Sequence, residues 1–279
     1  MVRPIAMLAG LGFLMALLFG FFAPREAAVV DVAKQFYKHP KDVSFSSDGV
    51  FGRFNNQQLQ RGFQVYKEVC SACHSMNQLA YRNLMDLGYT EAEVKAIAAQ
   101  YEVPSINPET GEPSMVKAMP KDKFKAPYPN ETAARLGNNN ALPPDLSLIT
   151  KAREDGGAYV YSLLTGYTDP PANLPKDKQP GPGLNYNPYF HSLNIAMAAP
   201  IAVDDQVTYK DGTKATKDQM ARDVSAFLIW AAEPRMQDRK QMGLAVILFL
   251  IIATGLAYMS YKSIWADKKA ENDGQTFAE

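Results

Sequence analysis

Apolar residues in this chain gather into two unbroken runs near the ends and three periodic stripes between them. Ile5 to Ala23 is almost wholly apolar behind Arg3, and Gln241 to Tyr261 carries no charge between Lys240 and Lys262. At about 1.5 Å per helical residue, each run is long enough to cross a hydrocarbon layer of about 30 Å. Between them, Leu59, Phe63, Tyr66 and Cys70 recur at helical spacing, and Gly62 in the same stretch allows a second helix to pack closely. Val94, Ile97, Ala98 and Tyr101 form a second stripe, and Met220, Val224, Phe227, Leu228 and Ala231 a third that Pro234 ends. These two open on capping boxes, Thr90-Glu91-Ala92-Glu93 and Thr216-Lys217-Asp218-Gln219. A further helix is expected from Leu146 to Arg153, behind the rigid Pro143-Pro144-Asp145 turn. Tyr159 to Leu164 reads as a short aromatic and aliphatic segment.

The remainder is irregular. Pro104 to Pro129 contains six prolines and is expected to be a long loop, and a second proline- and glycine-rich stretch runs from Asp169 to Pro188. The pattern predicts a mainly α protein with long ordered loops. Its expected segments are residues 1–26 as a signal peptide or N-terminal anchor, 27–240 as an exported domain, 241–262 as a transmembrane helix and 263–279 as a tail. Cleavage after Ala23 would leave Pro24 first, so removal and retention of the N-terminal run both stay open. Lys262, Lys268 and Lys269 favour a cytoplasmic C-terminus, while Arg239 and Lys240 on the other flank weaken that bias.

At 279 residues and 47% hydrophobic content, the chain can bury one substantial core. Its 29 basic residues match its 29 acidic ones. The balance survives removal of the ends, where Arg3, Lys262, Lys268 and Lys269 offset Asp267, Glu271, Asp273 and Glu279. Nothing in this charge pattern suggests nucleic acid, and steering of a partner has to come from local patches.

The chemistry is concentrated in Cys70-Ser71-Ala72-Cys73-His74, which holds the only two cysteines in the sequence. Two thiols at this spacing can each add to a vinyl group of haem, and the histidine that follows can ligate the iron. A thioredoxin-like pair needs no following histidine and opens a helix after a strand, whereas Phe63 to Tyr66 reads as helix. A structural zinc site wants four ligands, and beyond this motif the chain offers only His39 and His191, neither at finger spacing. One motif means one covalent haem c, which implies export and leaves no cysteine for a disulfide.

The opposite face of the iron needs a methionine, a second histidine or nothing. Met76 and Met85 follow the motif too closely, while Met115 and Met119 lie in the proline-rich loop and remain open. Met197 is preferred because Asn194 to Ile201 is a proline-stiffened apolar loop just before the helix expected to pack on the first stripe. His191 is its rival. Arg135 and Arg153 are candidates to pair the haem propionates, since guanidinium meets carboxylate in a fork.

Several stretches together resemble the cytochrome c1 family, the membrane-anchored haem subunits of ubiquinol–cytochrome c oxidoreductase (respiratory complex III). They are RGFQVYKEVCSACHSM (Arg61 to Met76), AYRNL (Ala80 to Leu84), YPNETAARLGNNNALPPDLS (Tyr128 to Ser147), YSLLTGY (Tyr161 to Tyr167), YNPYF (Tyr186 to Phe190), the IAMAAPI loop, DVSAFLIWAAEP (Asp223 to Pro234) and RKQMGL (Arg239 to Leu244). The resemblance implies an elaborated class I cytochrome c domain with a C-terminal transmembrane helix. It implies Cys70 and Cys73 as thioether residues, His74 and Met197 as iron ligands, and Arg153 as a propionate partner. It also implies that electrons arrive from a Rieske iron–sulfur subunit and leave to a soluble or membrane-tethered cytochrome c, beside cytochrome b in a dimeric complex embedded in membrane lipid. The absence of further cysteines rules out the extra disulfide of some bacterial relatives. An apolar run joined directly to the domain, without a mitochondrial-style transit sequence, points to a bacterial cytoplasmic membrane with the haem domain in the periplasm. The family's acidic docking surface is not evident, because Glu102, Glu109 and Glu112 are scattered among lysines. Outside the resemblance, competing classes are a tethered haem enzyme of peroxidase or nitrite-reducing type and a haem donor subunit of another respiratory complex.

Overall fold

The computed structural model describes residues 2–23 and 33–275. The chain divides into two units, Met1–Gln35 and Phe36–Glu279. The first holds α1 (Val2–Phe22), an apolar helix with exposed side chains along its length. The described part of the 1–26 segment stops at Ala23, so Pro24, Arg25 and Glu26 lie outside it. A four-residue helix, α2 (Ala33–Phe36), spans the boundary between the units.

The second unit is mainly helical with little strand. It contains α3 (Asn56–Glu68), α4 (Glu91–Ala98), α5 (Glu131–Gly137), α6 (Gly156–Leu164), α7 (Lys217–Ala232) and α8 (Met236–Gln275). Its core is the crossing of α3 and α7. Asn55 starts α3 by accepting a hydrogen bond from the Gln58 amide at 3.2 Å, and Thr216 starts α7 by accepting one from Gln219 at 3.1 Å. The predicted stripes face one another: Leu59, Phe63 and Tyr66 are buried on α3, and Met220, Val224, Phe227, Leu228 and Ala231 on α7. The Phe227 ring lies 5.7 Å from Phe63 and 5.8 Å from Tyr66, and Phe124 closes the cluster against Tyr66 and Tyr81. Gly62 permits the approach, since a Cβ there would sit 2.1 Å from the Asp223 carbonyl oxygen. Beside it, Arg61 Nε pairs with the buried Asp223 carboxylate at 2.8 Å.

The Thr90 capping box forms in full, with Glu93 Oε2 accepting from the Thr90 amide at 2.8 Å and Thr90 Oγ1 from the Glu93 amide at 3.3 Å. Three expectations change. The loop from Pro104 to Pro129 contains an antiparallel hairpin, β1 (Glu102–Ile106) against β2 (Pro113–Lys117), with Glu102 opposite Lys117 and Ile106 opposite Pro113. Prolines are tolerated there because each strand of a two-stranded ribbon has an unpaired edge. The helix expected at Leu146–Arg153 is a run of turns. Asp145 Oδ1 captures the Ser147 amide at 2.8 Å, and the backbone bonds that follow are mixed, Ile149 to Leu146 and Lys151 to Leu148 reaching three residues back and Ala152 to Leu148 four, so no continuous α-helical ladder forms. The stretch Tyr159–Leu164, in contrast, lies within a helix, α6, packed on α7.

The second pair, β3 (Asn185–Tyr186) and β4 (Asn194–Ile195), ends two residues before Met197. Helix α8 runs unbroken for 40 residues, through both the expected start of the membrane segment and most of the expected tail. Its Met236–Ala266 portion and Arg3–Phe22 of α1 are each long and apolar enough to cross a membrane.

Candidate haem-attachment site

Helix α3 does not continue through the cysteines. It ends at Glu68, and Cys70–Ala72 forms a turn of 3₁₀ helix. The Cys70 carbonyl accepts from both the Cys73 amide at 3.1 Å and the His74 amide at 2.9 Å. Both cysteines are half-buried and unbonded. Burial, with a smaller contribution from the neighbouring Cys73 sulfur, pushes the Cys70 thiol up to about 12, so it is neutral in this fold.

The His74 ring hydrogen-bonds through Nδ1 to the Pro144 carbonyl oxygen at 2.8 Å. A carbonyl can only accept, so Nδ1 carries the proton and Nε2 presents its lone pair. Burial lowers the ring below the ordinary imidazole value, against the raising effects of that hydrogen bond and of Asp145. A neutral imidazole with one nitrogen engaged is the form a metal requires.

The segment that bears Pro144 is clamped in turn. Asp145 Oδ2 accepts from Ser75 Oγ and the Asn77 amide, each at 2.8 Å, the Leu146 amide donates to the Ser75 carbonyl at 2.9 Å, and the Gln78 amide donates to Ser147 Oγ at 3.0 Å. Sequence reasoning gave Pro144 and Asp145 no role beyond opening a helix. The available signal was an Asx turn, Asp-x-Ser, directly after two prolines.

Met197 is half-buried in its loop. Its carbonyl oxygen accepts from Tyr167 Oη at 3.1 Å and from Asn185 Nδ2 at 3.4 Å. Asn187, fully buried, donates to the Leu163 carbonyl at 2.8 Å and ties this loop to α6. Of the rival ligands, His191 is exposed, Met115 and Met119 are exposed on and just beyond β2, Met85 is exposed, and Met76 is sealed in the core.

The two arginines differ. Arg153 is exposed and donates Nη1 to the adjacent Ala152 carbonyl at 2.9 Å, and its guanidinium pulls back the Tyr159 hydroxyl, which burial raises. Tyr159 in turn interacts with Tyr167, whose hydroxyl burial raises strongly. The direct tie from these side chains to the Met197 loop is the Tyr167 hydroxyl, and the Arg153 guanidinium acts electrostatically on Tyr159. Arg135 also donates to a backbone carbonyl of its own turn, that of Asn140 at 3.2 Å, where Asn139 and Asn140 adopt left-handed φ of 51° and 62°.

Among the described residues, no three His, Cys, Asp or Glu side chains converge as a metal cage. A cavity of about 310 Å³ opens beside Ser71 and Ala72, walled by Tyr66, Tyr81, Tyr101 and Phe124. Neither cysteine nor His74 is among the residues that wall it. The donor set itself fits covalent haem: two unbonded thiols on one turn, then an imidazole with Nε2 available.

A model described as the Cytochrome C1 family matches residues 45–268. Cytochrome c1 of Rhodospirillum rubrum is 44% identical over 243 residues, covering 83% of this chain and 88% of that protein. The mitochondrial cytochrome c1 haem protein of Saccharomyces cerevisiae is 45% identical over 232 residues, covering 83% and 74%. The mitochondrial cytochrome b-c1 complex catalytic subunit of Candida albicans is 46% identical over 213 residues, covering 76% and 72%. With the attachment turn intact and the match running through core, loops and the start of α8, the chain belongs to the cytochrome c1 family.

Proposed function

We propose that this chain is the mono-haem electron-transfer subunit of a quinol–cytochrome c oxidoreductase, receiving electrons from a Rieske iron–sulfur protein and handing them to a soluble or tethered cytochrome c. The observation that carries the reading is the attachment turn, with two free thiols and a histidine whose Nδ1 is already spoken for by Pro144. Bound haem c supplies a one-electron iron couple. Cys70 and Cys73 would hold it through thioethers, and His74 Nε2 and Met197 Sδ would ligate the iron. Tyr167 and Asn185 steady the Met197 loop by donating to its carbonyl. Arg153, set against Tyr159, is the propionate partner, with Arg135 secondary.

Two protein ligands leave no exchangeable iron position, which suits outer-sphere transfer and not peroxide or nitrite chemistry. The subunit performs no catalysis alone. The domain is an elaborated class I cytochrome c, whose helix crossing of α3 and α7 is the scaffold for the attachment turn. Residues 1–26 serve as signal or anchor, 27–240 lie in the periplasm of a bacterium, 241–262 cross the cytoplasmic membrane, and 263–279 are cytoplasmic. Cytochrome b, the Rieske protein and membrane lipid surround it in a dimeric complex.

The deciding experiment is purification of the native complex. Co-purification of a cytochrome b and a Rieske protein, with an intact mass for this chain that includes one haem surviving denaturation, is expected. A bare polypeptide mass, or carbon monoxide binding to the reduced native protein, overturns the reading.

A further inference from the structure

The loop from Phe45 to Arg53 is a built turn. The Phe45 amide donates to Asp48 Oδ2 at 2.7 Å, the Asp48 amide to the Phe45 carbonyl at 3.0 Å, and the Arg53 amide to the Ser46 carbonyl at 2.8 Å. Gly52 packs so tightly that a Cβ would lie 2.0 Å from the Asp48 carbonyl oxygen. Lys240, near the start of α8, donates Nζ to the Ser47 carbonyl at 2.6 Å and the Gly49 carbonyl at 2.7 Å, fixing the turn against the helix. This construction holds two apolar side chains outward: Val50 is 67% exposed and Phe51 81%.

An apolar tip on a rigid turn is held out at a standing free-energy cost in water, about 25 cal/mol per Å² of exposed apolar area. What lies next to it identifies the occupant. Phe51, Arg53 and Lys240 line a cleft of about 300 Å³ together with Leu244. Leu244 belongs to the apolar span of α8 and is itself exposed, as is Met242. Whatever surrounds α8 at the height of Leu244 therefore reaches Phe51. The residues that line the cleft include two cations and no carboxylate: Lys240, which donates to two carbonyls there and keeps a third N–H, and the exposed Arg53, with Asp48 outside the lining. Basic side chains at the boundary of an apolar span match the phosphates of anionic headgroups.

We propose that the Val50-Phe51 turn is a second membrane contact of this subunit, inserting beside α8, with Arg53 and Lys240 taking the phosphate of an anionic phospholipid. One helix leaves a domain free to swivel about its axis, and a second contact, off the axis, fixes which way the haem domain faces. The inference rests on α8 lying in the membrane.

The test places the photo-crosslinker benzoylphenylalanine at position 51, and separately at Leu250 in the middle of α8, in the haem-loaded full chain within its own membranes. Irradiation and mass spectrometry identify what is captured. Phospholipid adducts at both positions are expected, with phosphatidylglycerol enriched over its bulk share at position 51 and that enrichment lost in Arg53→Gln. Lipid at 250 with only protein adducts, or none, at 51 overturns the inference and leaves the α8 reading standing. No lipid at 250 overturns the α8 reading, and the inference with it. Enrichment unchanged in Arg53→Gln overturns the headgroup site.

Discussion

The His74 ring is held through Nδ1 by the Pro144 carbonyl at 2.8 Å, across 70 residues of sequence. A backbone carbonyl cannot be mutated away, but its position depends on Asp145, whose carboxylate gathers Ser75, Asn77 and Ser147.

Burial raises the Asp145 carboxyl, and the hydrogen bonds from Ser147, Asn77 and Ser75 outweigh it, leaving the group below the usual carboxylate value. A depressed folded value contributes stability that is present above the unfolded value of about 3.9 and disappears as pH falls through the folded one. Asp145→Asn should cost about 2 kcal/mol at neutral pH. The gap between wild type and variant should narrow as pH falls below the unfolded value and through the lower folded one. Denaturant unfolding of the holoprotein at several pH values checks this, and a gap independent of pH refutes it.

Met197→Leu removes the thioether but keeps the volume, so the loop bonds from Tyr167 and Asn185 to the residue 197 carbonyl should persist. The midpoint potential should fall by several tenths of a volt. The reduced iron should also open to carbon monoxide. Redox titration and carbon monoxide difference spectra decide, and an unchanged potential removes Met197 from the iron.

Arg153 and Arg135 should separate. Each guanidinium is bonded to a backbone carbonyl of its own turn, Arg153 to Ala152 and Arg135 to Asn140, but the Arg153 charge also acts on Tyr159. Arg153→Gln should shift the haem potential and its pH dependence, because a propionate loses its counter-charge. Arg135→Gln, at the secondary partner, should shift both by less. Equal shifts in the two variants would contradict the assignment.

What could be read from the sequence was what periodicity and covalent chemistry write locally. The stripes at Leu59–Tyr66 and Met220–Ala231 and the two caps are short-range signals, and the Cys70–His74 motif is a contiguous one. Gly62 was legible because a helix interior without a side chain invites a neighbour. The partners of the motif were not legible. Pro144 reaches His74 only through tertiary folding, and Asp145 spends its carboxylate on Ser75 and Asn77 instead of capping a helix, which is why the helix expected at Leu146–Arg153 gives way to turns. The hairpin Glu102–Lys117 was hidden by its prolines, which weaken a strand signal but cause no loss at an unpaired edge. Arg153 and Arg135 look alike in sequence, and their difference lies wholly in what they touch.

The α3 and α7 crossing carries the attachment turn, because Cys70 follows two residues after α3 ends. Gly62→Ala would drive a methyl group to 2.1 Å from the Asp223 carbonyl and 2.6 Å from Phe227 Cβ, and helix backbones cannot yield as a flexible side chain would. The helices must separate, with a destabilisation of about 2–3 kcal/mol. Arg61→Met acts on the same crossing by a different route, leaving the fully buried Asp223 without a cation, with the Gln219 side-chain amide at 2.8 Å and the Tyr209 hydroxyl beside it. An uncompensated buried carboxylate costs about 3–5 kcal/mol. Pairing Arg61→Met with Asp223→Asn removes the charge as well as its partner, so the double variant should be less destabilised than the sum of the singles. Denaturant titration of wild type and these four variants, all as holoproteins, measures all these terms. Additive losses would show that Arg61 and Asp223 act separately, and a Gly62→Ala variant as stable as wild type would show that the helices can part without loss.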